Sequence, residues 1–173
     1  MLIRVIASFI IIIGCTYVGI YFGEKLSLRA KQLATFQSAL EILKFNILFL
    51  NLPLAEALYK VSKSQPGVVS RIFRDMSLEL SRDNGKTVQN AWEMSIAKER
   101  RELNLLQEDI VALNEFASRL GSGDRTDQTG NIDITAAKLS IFESEAREVC
   151  KKNCRLYKGL GILAGLLIVV LLI

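Results

Sequence analysis

The residues of this chain whose types suit chemistry are few, and one polar segment holds several of them. Gly121-Ser122-Gly123-Asp124 has the glycines and the hydroxyl of a phosphate-binding loop, but it lacks the lysine and the preceding strand that such loops require. Asp124 and Asp127 carry oxygens suited to calcium, but the spacing and the closing glutamate of an EF-hand are missing. We therefore interpret this segment as a connection between helices, in which Asp124 caps or braces the chain.

Histidine is absent from the sequence. Its absence removes the commonest general base, the commonest metal ligand and the usual pH-sensitive side chain. Trp92 lies on the apolar stripe of a predicted helix, and we interpret it as a core residue. We predict a non-enzymatic protein with no catalytic residue, no cofactor and no metal site.

The three cysteines are best interpreted as packing residues. Cys150 and Cys154 are one helical turn apart, but two thiols without a histidine make a poor metal site. Cys15 follows Ile12-Ile13-Gly14, as in a lipoprotein cleavage motif. Against that alternative, the apolar run continues for eight residues beyond Cys15, and only 14 residues would precede the cleavage site.

Two uncharged apolar runs lie at the ends of the chain. Residues 5–23 form the first, which has 19 residues and would measure about 28 Å as a helix, close to the bilayer core of roughly 30 Å. Residues 159–173 form a second run of 15 residues, about 22 Å long, and such a mismatch has a small energetic cost. The sequence predicts transmembrane helices within residues 1–23 and 159–173, around a helical domain at residues 24–158.

The basic residues are concentrated beside these runs. The sequence pI is about 9.0, yet residues 32–146 hold 13 Lys and Arg against 16 Asp and Glu, which argues against nucleic acid as a partner. The flanking basic residues are Lys25, Arg29, Lys31, Arg147, Lys151, Lys152, Arg155 and Lys158. Because such flanks stay on the cytoplasmic side, we expect a two-pass protein of the cell membrane with its domain in the cytoplasm. Membrane lipid headgroups are the expected partners of these side chains.

Two pairs of glycines have the spacing that lets membrane helices approach closely. Gly19 and Gly23 end the first predicted span, and Gly161 and Gly165 begin the second. Because the spans run antiparallel, all four glycines would lie near the cytoplasmic leaflet. The pattern leaves open whether the two spans pair directly with each other.

The chain is organised around residues 32–58, which we interpret as a helical hairpin. Apolar residues recur at three- and four-residue steps in its first helix, at Leu33, Phe36, Leu40, Leu43 and Ile47. We expect Asn51 to cap a second helix at about residues 53–63, with Pro53 in its first turn. The stripe of that helix consists of Leu54, Ala57, Leu58 and Val61. Pro53, Leu54 and Leu58 are interpreted as structural residues that do not contact a partner.

Four further helices are predicted. Pro66-Gly67 precedes the third, residues 83–85 end it, and Thr87 caps the fourth. We expect a boundary at residues 98–102 and a long polar loop at residues 121–131. The fifth helix carries the stripe Leu103, Leu106, Ile110, Leu113, Phe116 and Leu120, and the sixth carries Ala136, Leu139, Phe142, Ala146, Val149 and Cys150. No window alternates with a period of two, so the predicted fold is all-α, a compact bundle of about six helices flanked by the two transmembrane helices.

A series of short motifs extends along the whole chain. They are Arg29-Ala30-Lys31-Gln32-Leu33, Ala39-Leu40, Pro53-Leu54-Ala55-Glu56-Ala57-Leu58, Ala91-Trp92-Glu93, Phe116, Leu120-Gly121, Asp124, Gln128, and the ending with Leu160-Gly161 and Gly165-Leu166-Leu167-Ile168. In this order, between two apolar ends, they resemble the stage III sporulation protein AB family of endospore-forming bacteria. The resemblance marks as fold-defining Gln32, Leu33, Pro53, Leu54, Ala57, Leu58, Trp92, Gly121, Asp124 and Gln128.

Two positions depart from the family pattern. Ala30 stands where the family tends to have proline, and Asn46 stands where it tends to have glutamate. Neither departure threatens the fold, but the second puts a partner contact at Asn46 in doubt.

The hairpin and the segment from Gly85 to Ala91 also resemble a cytoplasmic repeat of the inner-membrane platform proteins of type II secretion and type IV pilus machines. Together the resemblances imply a platform or adaptor subunit of the secretion-like channel complex between mother cell and forespore, on the mother-cell side of the outer forespore membrane. They also imply a secretion-type sporulation ATPase and other membrane subunits of the complex as partners. The alternatives are a membrane scaffold with no ATPase partner, and a sensor or enzyme of the membrane surface.

Overall fold

The described part of the chain forms six α-helices in a computed structural model. Their bounds are α1 (Leu2–Leu48), α2 (Leu54–Ser64), α3 (Gly67–Ser81), α4 (Val88–Glu99), α5 (Gln107–Arg119) and α6 (Arg125–Leu172). The structure describes the backbone of residues 2–82, 87–121 and 125–172, and the side chains at residues 14, 17, 21, 23–82, 87–121, 127–153 and 163. Across this described part no residue belongs to a strand, which confirms the predicted all-α class.

The chain divides into two compact units. One comprises Met1–Ala30 with Ser144–Ile173, and the other comprises Lys31–Glu143. We call the second of these the core unit. Both α1 and α6 contribute residues to each unit. The core unit lies within the domain interval 24–158 that the sequence predicts.

The membrane spans remain a prediction. Among the described residues, no helix has a stretch that is both long and apolar enough to cross a bilayer. The predicted spans at residues 5–23 and 159–173 consist almost entirely of positions whose side chains lie outside the described residues.

Three aromatic side chains from different helices form the centre of the core unit. Phe36 of α1, Phe73 of α3 and Trp92 of α4 are fully buried. The ring centroids lie 6.3 Å apart for Phe36 and Phe73, 6.4 Å for Phe36 and Trp92, and 6.5 Å for Phe73 and Trp92. Both contacts of Trp92 are edge-to-face, an arrangement that the ring quadrupoles favour. Trp92 Nε1 also donates a hydrogen bond to Asn114 Oδ1 of α5 at 2.8 Å, so one side chain connects three other helices.

The corner between α1 and α2 differs from the predicted one. Asn51 has a φ of 52°, in the left-handed region that asparagine tolerates better than most residues. Pro53, and not Asn51, occupies the N-cap position of α2, and the helix begins at Leu54. The carbonyl of Pro53 accepts a hydrogen bond from Ala57 N at 2.9 Å, while its missing N–H leaves no donor unpaired. The predicted cap by Asn51 and the placement of Pro53 inside the helix are therefore wrong.

The fourth helix has the predicted ends. Thr87 caps it by accepting a hydrogen bond at Oγ1 from Asn90 N over 3.2 Å, which satisfies one of the N–H groups that have no partner within the helix. The helix ends at Glu99, which confirms the boundary predicted at residues 98–102.

The fifth helix starts later than its apolar stripe suggests. Asp109 is fully buried, and its Oδ2 accepts a hydrogen bond from Leu106 N at 2.8 Å. This bond fixes the helix start, so α5 begins at Gln107. Leu106 is 49% exposed, and the prediction that it lies on the buried stripe is wrong. Leu103 and Leu105 are buried in the connection that precedes the helix.

The polar loop predicted at residues 121–131 is too long. The last helix begins at Arg125, so residues 125–131 are helical. Asn131 is buried, and its Nδ2 donates a hydrogen bond to Phe116 O, near the end of α5, at 3.0 Å. Phe116 O also accepts a hydrogen bond from Leu120 N at 3.0 Å, so Asn131 adds a second bond to this carbonyl. The asparagine is thus a helical residue that ties α6 to the end of α5, although its type suggested a loop.

The turn after α5 requires glycine, and this requirement can be tested. Gly121 has a φ of +85°, and a Cβ built there would lie 2.6 Å from Val88 Cγ2. We expect Gly121→Ala to lower the free energy of unfolding by about 1–3 kcal/mol, because backbone strain and the clash add. Chemical denaturation of the full chain in detergent, followed by circular dichroism, measures the change.

A second glycine supplies the matched control. A Cβ at Gly130, in α6, would meet nothing within 4 Å. Gly130→Ala should therefore raise the stability by about 0.4–1 kcal/mol. If both alanine variants were equally stable, the close approach of Gly121 to α4 would not be a constraint on the fold.

The buried stripe of α2 gives a further prediction. Leu58 is fully buried, so Leu58→Ala should lower the free energy of unfolding by about 2–5 kcal/mol. The control is Val111→Ala, because Val111 is 44% exposed and such a change should stay within about 0.5 kcal/mol. Unchanged stability in Leu58→Ala, measured by the same denaturation, would refute its structural role.

Candidate docking surface

The end of α1 and the turn after it expose four large apolar side chains. They are Phe45, Leu48, Phe49 and Leu50, which we call the apolar corner. Phe45 and Phe49 are stacked with their ring centroids 5.3 Å apart, yet they are 50% and 71% exposed. Single exposed apolar residues are common, but a contiguous group that includes aromatic rings is typical of a surface that a partner covers. The apolar corner is therefore the first candidate docking surface.

A helical signal for this surface is present in the sequence. Leu43 and Ile47 are buried, and Phe45 follows Leu43 by two residues, which places it about 200° around the helix. An aromatic residue opposite the buried stripe is directed away from the core of its own bundle. The prediction used the buried stripe alone and passed over Phe45 and Phe49.

An ion pair lies beside the apolar corner. Lys44 Nζ and Asp133 Oδ1 are 2.6 Å apart, and they connect α1 with α6 inside the core unit. Both side chains are about one-third exposed or more, so the pair contributes little net stability. It links α1, one residue before Phe45, with α6.

Four of the ten fold-defining residues lie in the core and cannot form a contact surface. Leu33, Ala57, Leu58 and Trp92 are fully buried. Leu54 is half-buried, and Pro53 is exposed at the N-cap of α2.

Leu54 and Gly121 meet where three helices converge. A Cβ at Gly121 would lie 3.7 Å from Leu54 Cδ2 of α2 and 2.6 Å from Val88 Cγ2 of α4. The glycine thus lets the end of α5 approach both helices. The structure brings two residues of the family motif together that are far apart in the sequence.

Gln32 holds the connection between α4 and α5. Its Nε2 donates a hydrogen bond to Glu102 O, and its Oε1 accepts one from Asn104 N, both at 2.8 Å. Arg71 of α3 holds the same segment from another side, because its guanidinium forms ion pairs with Glu99 and Glu102. The hydrogen bonds to Glu99 and then to Glu102 raise the pKa of Arg71. A motif residue thus joins α1 to a segment without regular structure.

Asn46 faces the hairpin and not the surface. It is 4% exposed, and its Nδ2 donates a hydrogen bond of 3.4 Å to Ala57 O of α2. The backbone carbonyl of Asn46 accepts a hydrogen bond from Leu52 N at 3.2 Å. Because the side chain is directed into the α1–α2 contact, the position where the family tends to have glutamate is not part of the exposed surface in this chain.

The remaining predicted residues are either half-buried or buried outside the apolar corner, or lie outside the described residues. Gln128 is half-buried on α6. Asp124 lies outside the described residues, and so do the side-chain surroundings of Gly19, Gly161 and Gly165. Gly23 is buried in α1. The glycine pairs therefore stay a sequence-based indication of close helix approach.

The basic residues beside the predicted spans are largely accessible where they are described. Lys25, Lys31, Lys151 and Lys152 are exposed and Arg29 is half-buried, whereas the side chains of Arg155 and Lys158 lie outside the described residues. Lys25 Nζ lies 5.0 Å from the centroid of the Tyr21 ring. Lys152 Nζ donates a hydrogen bond to Glu148 Oε1 at 2.7 Å, which lowers the pKa of Glu148 and raises that of Lys152.

Several side chains in the described part of the chain are of types that could bind a metal or act as a nucleophile. No group of three or more His, Cys, Asp or Glu residues there could hold a metal ion. One Ser-x-x-Lys spacing, the arrangement of some serine nucleophiles, occurs in the sequence at Ser95 and Lys98. Ser95 is fully buried and its Oγ donates to Ala91 O at 2.8 Å, while Lys98 Nζ lies 3.3 Å from Asp75 Oδ2. The pair is therefore structural.

Helix order and surface together define an all-α protein with a small helical core unit and an exposed apolar corner. The sequence matches the stage III sporulation protein AB family over residues 4–173. The stage III sporulation protein AB of Bacillus subtilis (strain 168) is 30% identical over 173 residues, with 99% of each chain covered. A solved structure of a stage III sporulation protein AB superposes with a TM-score of 0.66 and 27% identity, over 72% of this chain and 97% of that one. The chain belongs to the stage III sporulation protein AB family, which confirms the resemblance found in its motifs.

Proposed function

We propose that this protein is a membrane-anchored platform or adaptor subunit. It couples a cytoplasmic ATPase to the secretion-like channel complex between mother cell and forespore, and it contains no active site of its own. The observation that carries the proposal is the apolar corner, because Phe45 and Phe49 stay exposed on a well-packed unit. In this proposal the apolar runs at residues 5–23 and 159–173 anchor the chain, and the core unit faces the cytoplasm.

Two long helices support the coupling role. Both α1 and α6 continue from one unit into the other. The sequence has two prolines, Pro53 and Pro66, and neither lies in these helices. Sharp kinks in helices occur mostly at proline or at inserted groups. A displacement of the core unit by the ATPase would therefore pass along α1 and α6 toward the membrane.

The basic flanks supply the contact with lipid. Lys25, Lys151 and Lys152 are exposed, and each basic side chain near an anionic leaflet contributes about 1 kcal/mol of attraction. These residues would hold the ends of the two anchors at the cytoplasmic headgroups. Other membrane subunits of the channel complex would meet the anchors themselves.

The membrane topology is directly testable. We expect a reporter that is active only in the cytoplasm to work when inserted at Lys60, and one that is active only outside to work at the C-terminus. The physical reason is the excess of basic residues on the domain side of both runs. Activity of an exported reporter at Lys60 would overturn the proposed orientation.

The docking role of the apolar corner is tested by reconstitution. The full chain in nanodiscs is mixed with the sporulation ATPase, and association and ATP turnover are measured. We expect Phe45→Ala combined with Phe49→Ala to weaken association about tenfold or more, because aromatic residues commonly dominate interface energies.

The matched control removes two equally exposed apolar residues elsewhere. Ile134 and Ile141 of α6 are 64% and 60% exposed, and alanine at both should leave association unchanged. Equal losses in the two double variants would exclude the apolar corner as the docking surface. If the wild-type chain shows no association at tens of micromolar, a scaffold without an ATPase partner becomes the better account.

A further inference from the structure

A shallow groove lies between α2 and α3, apart from the apolar corner. Its volume is about 380 Å³, and its lining includes Pro53, Glu56, Tyr59, Ser77, Leu78 and Ser81. The two helices are held together at its floor, where Ser77 Oγ donates a hydrogen bond to Ala55 O at 2.7 Å. The groove therefore has a floor fixed by a hydrogen bond between helices.

The walls of the groove are apolar but open to solvent. Leu78 and Tyr59 are 46% and 44% exposed, and Pro53 is exposed beside them. These three side chains offer contact to an aliphatic chain of modest length. Lys63 Nζ lies 5.3 Å from the centroid of the Tyr59 ring, so this ring already has a cation of the chain next to it.

The polar groups of the groove are acceptors. Ser77 and Ser81 already donate their hydroxyl hydrogens, to Ala55 O and to Ser77 O at 2.7 and 2.8 Å, so further bonds to them must be donated by a ligand. Glu56 is exposed and makes no hydrogen bond or ion pair with any residue that the structure describes. It is the only charged residue among those that line the groove. The groove thus combines apolar walls, acceptor atoms and one negative charge.

We propose that this groove binds an arginine or lysine side chain from an apolar segment of a partner polypeptide. The aliphatic stem packs against Leu78, Tyr59 and Pro53, and the cationic head donates hydrogen bonds to Glu56. Arginine and lysine have this combination of an apolar stem and a charged end. An acidic segment would be repelled by Glu56, and a purely apolar one would desolvate the carboxylate without a partner.

The inference deepens the proposed function, because it names the chemistry of a segment that a partner of the platform would present. Its test does not use the ATPase. The full chain in nanodiscs is panned against a phage-displayed library of random peptides, after depletion on empty nanodiscs. We expect the enriched peptides to place Arg or Lys next to leucine, isoleucine, valine, methionine or phenylalanine.

Four variants locate the binding. Glu56→Gln removes the charge with little change of shape, and Leu78→Ser removes an apolar wall. Each should lower recovery of the enriched phage about tenfold, the scale of one good contact. Glu41→Gln and Val111→Ser are the matched controls, because Glu41 is an exposed carboxylate on α1 and Val111 is 44% exposed on α5. Both should keep full recovery.

A synthetic peptide separates charge from shape. The most enriched sequence is made with arginine and again with citrulline, which keeps the side-chain shape without the charge, and the citrulline form should bind about tenfold more weakly. Enrichment of peptides without basic residues, full recovery on Glu56→Gln, or no enrichment at all would overturn the groove proposal. None of these results bears on ATPase association, and loss of ATPase association would not remove binding of the enriched peptides.

Discussion

The contact among Phe36, Phe73 and Trp92 is the constraint on which the core unit depends. It brings together α1, α3 and α4, and each ring is fully buried. Edge-to-face aromatic pairs contribute about 0.5–1.5 kcal/mol beyond their buried area. The indole N–H of Trp92 also donates a hydrogen bond to Asn114 of α5, so the same side chain sets the position of a fourth helix. The remaining helical stripes can close around this centre.

Sequence periodicity predicts the parts of the fold in which apolar burial decides the structure. The stripe of α1 and that of α2 specify the hairpin, and Leu43 and Leu58 are fully buried. Apolar periodicity does not predict the structure where a single polar side chain determines a helix boundary or a contact between helices. Asp109 sets the start of α5 through Leu106 N, and Asn131 brings the first turns of α6 against Phe116 O.

The failed prediction of a loop at residues 125–131 has a non-local cause. The hydrogen bond of Asn131 joins residues 15 positions apart, and no local sequence pattern indicates such a partner. A polar residue type favours a loop only on average, because its side chain competes for backbone groups wherever they are within reach. The candidate docking surface is different, because the position of Phe45 opposite the buried stripe of α1 is readable from the sequence.

Within the family motif, the buried residues and the exposed residues have different roles. Leu33, Ala57, Leu58 and Trp92 are buried, so they specify the fold and cannot reach a partner. The exposed groups with suitable chemistry are Phe45 and Phe49 at the apolar corner, and Glu56 within the motif segment of α2. A surface for a partner therefore depends on residues placed between the structural ones, on the opposite side of the same two helices.

Gln32 fixes α1 against the segment between α4 and α5. It stands one residue inside the core unit, which begins at Lys31, and its amide makes two hydrogen bonds to the segment between α4 and α5. A shift of α1 along its axis relative to that segment would break both bonds and leave Asn104 N without its partner. Because unpaired polar groups at a half-buried site are costly, such a shift is opposed. The two bonds therefore fix the position of α1 relative to the segment between α4 and α5.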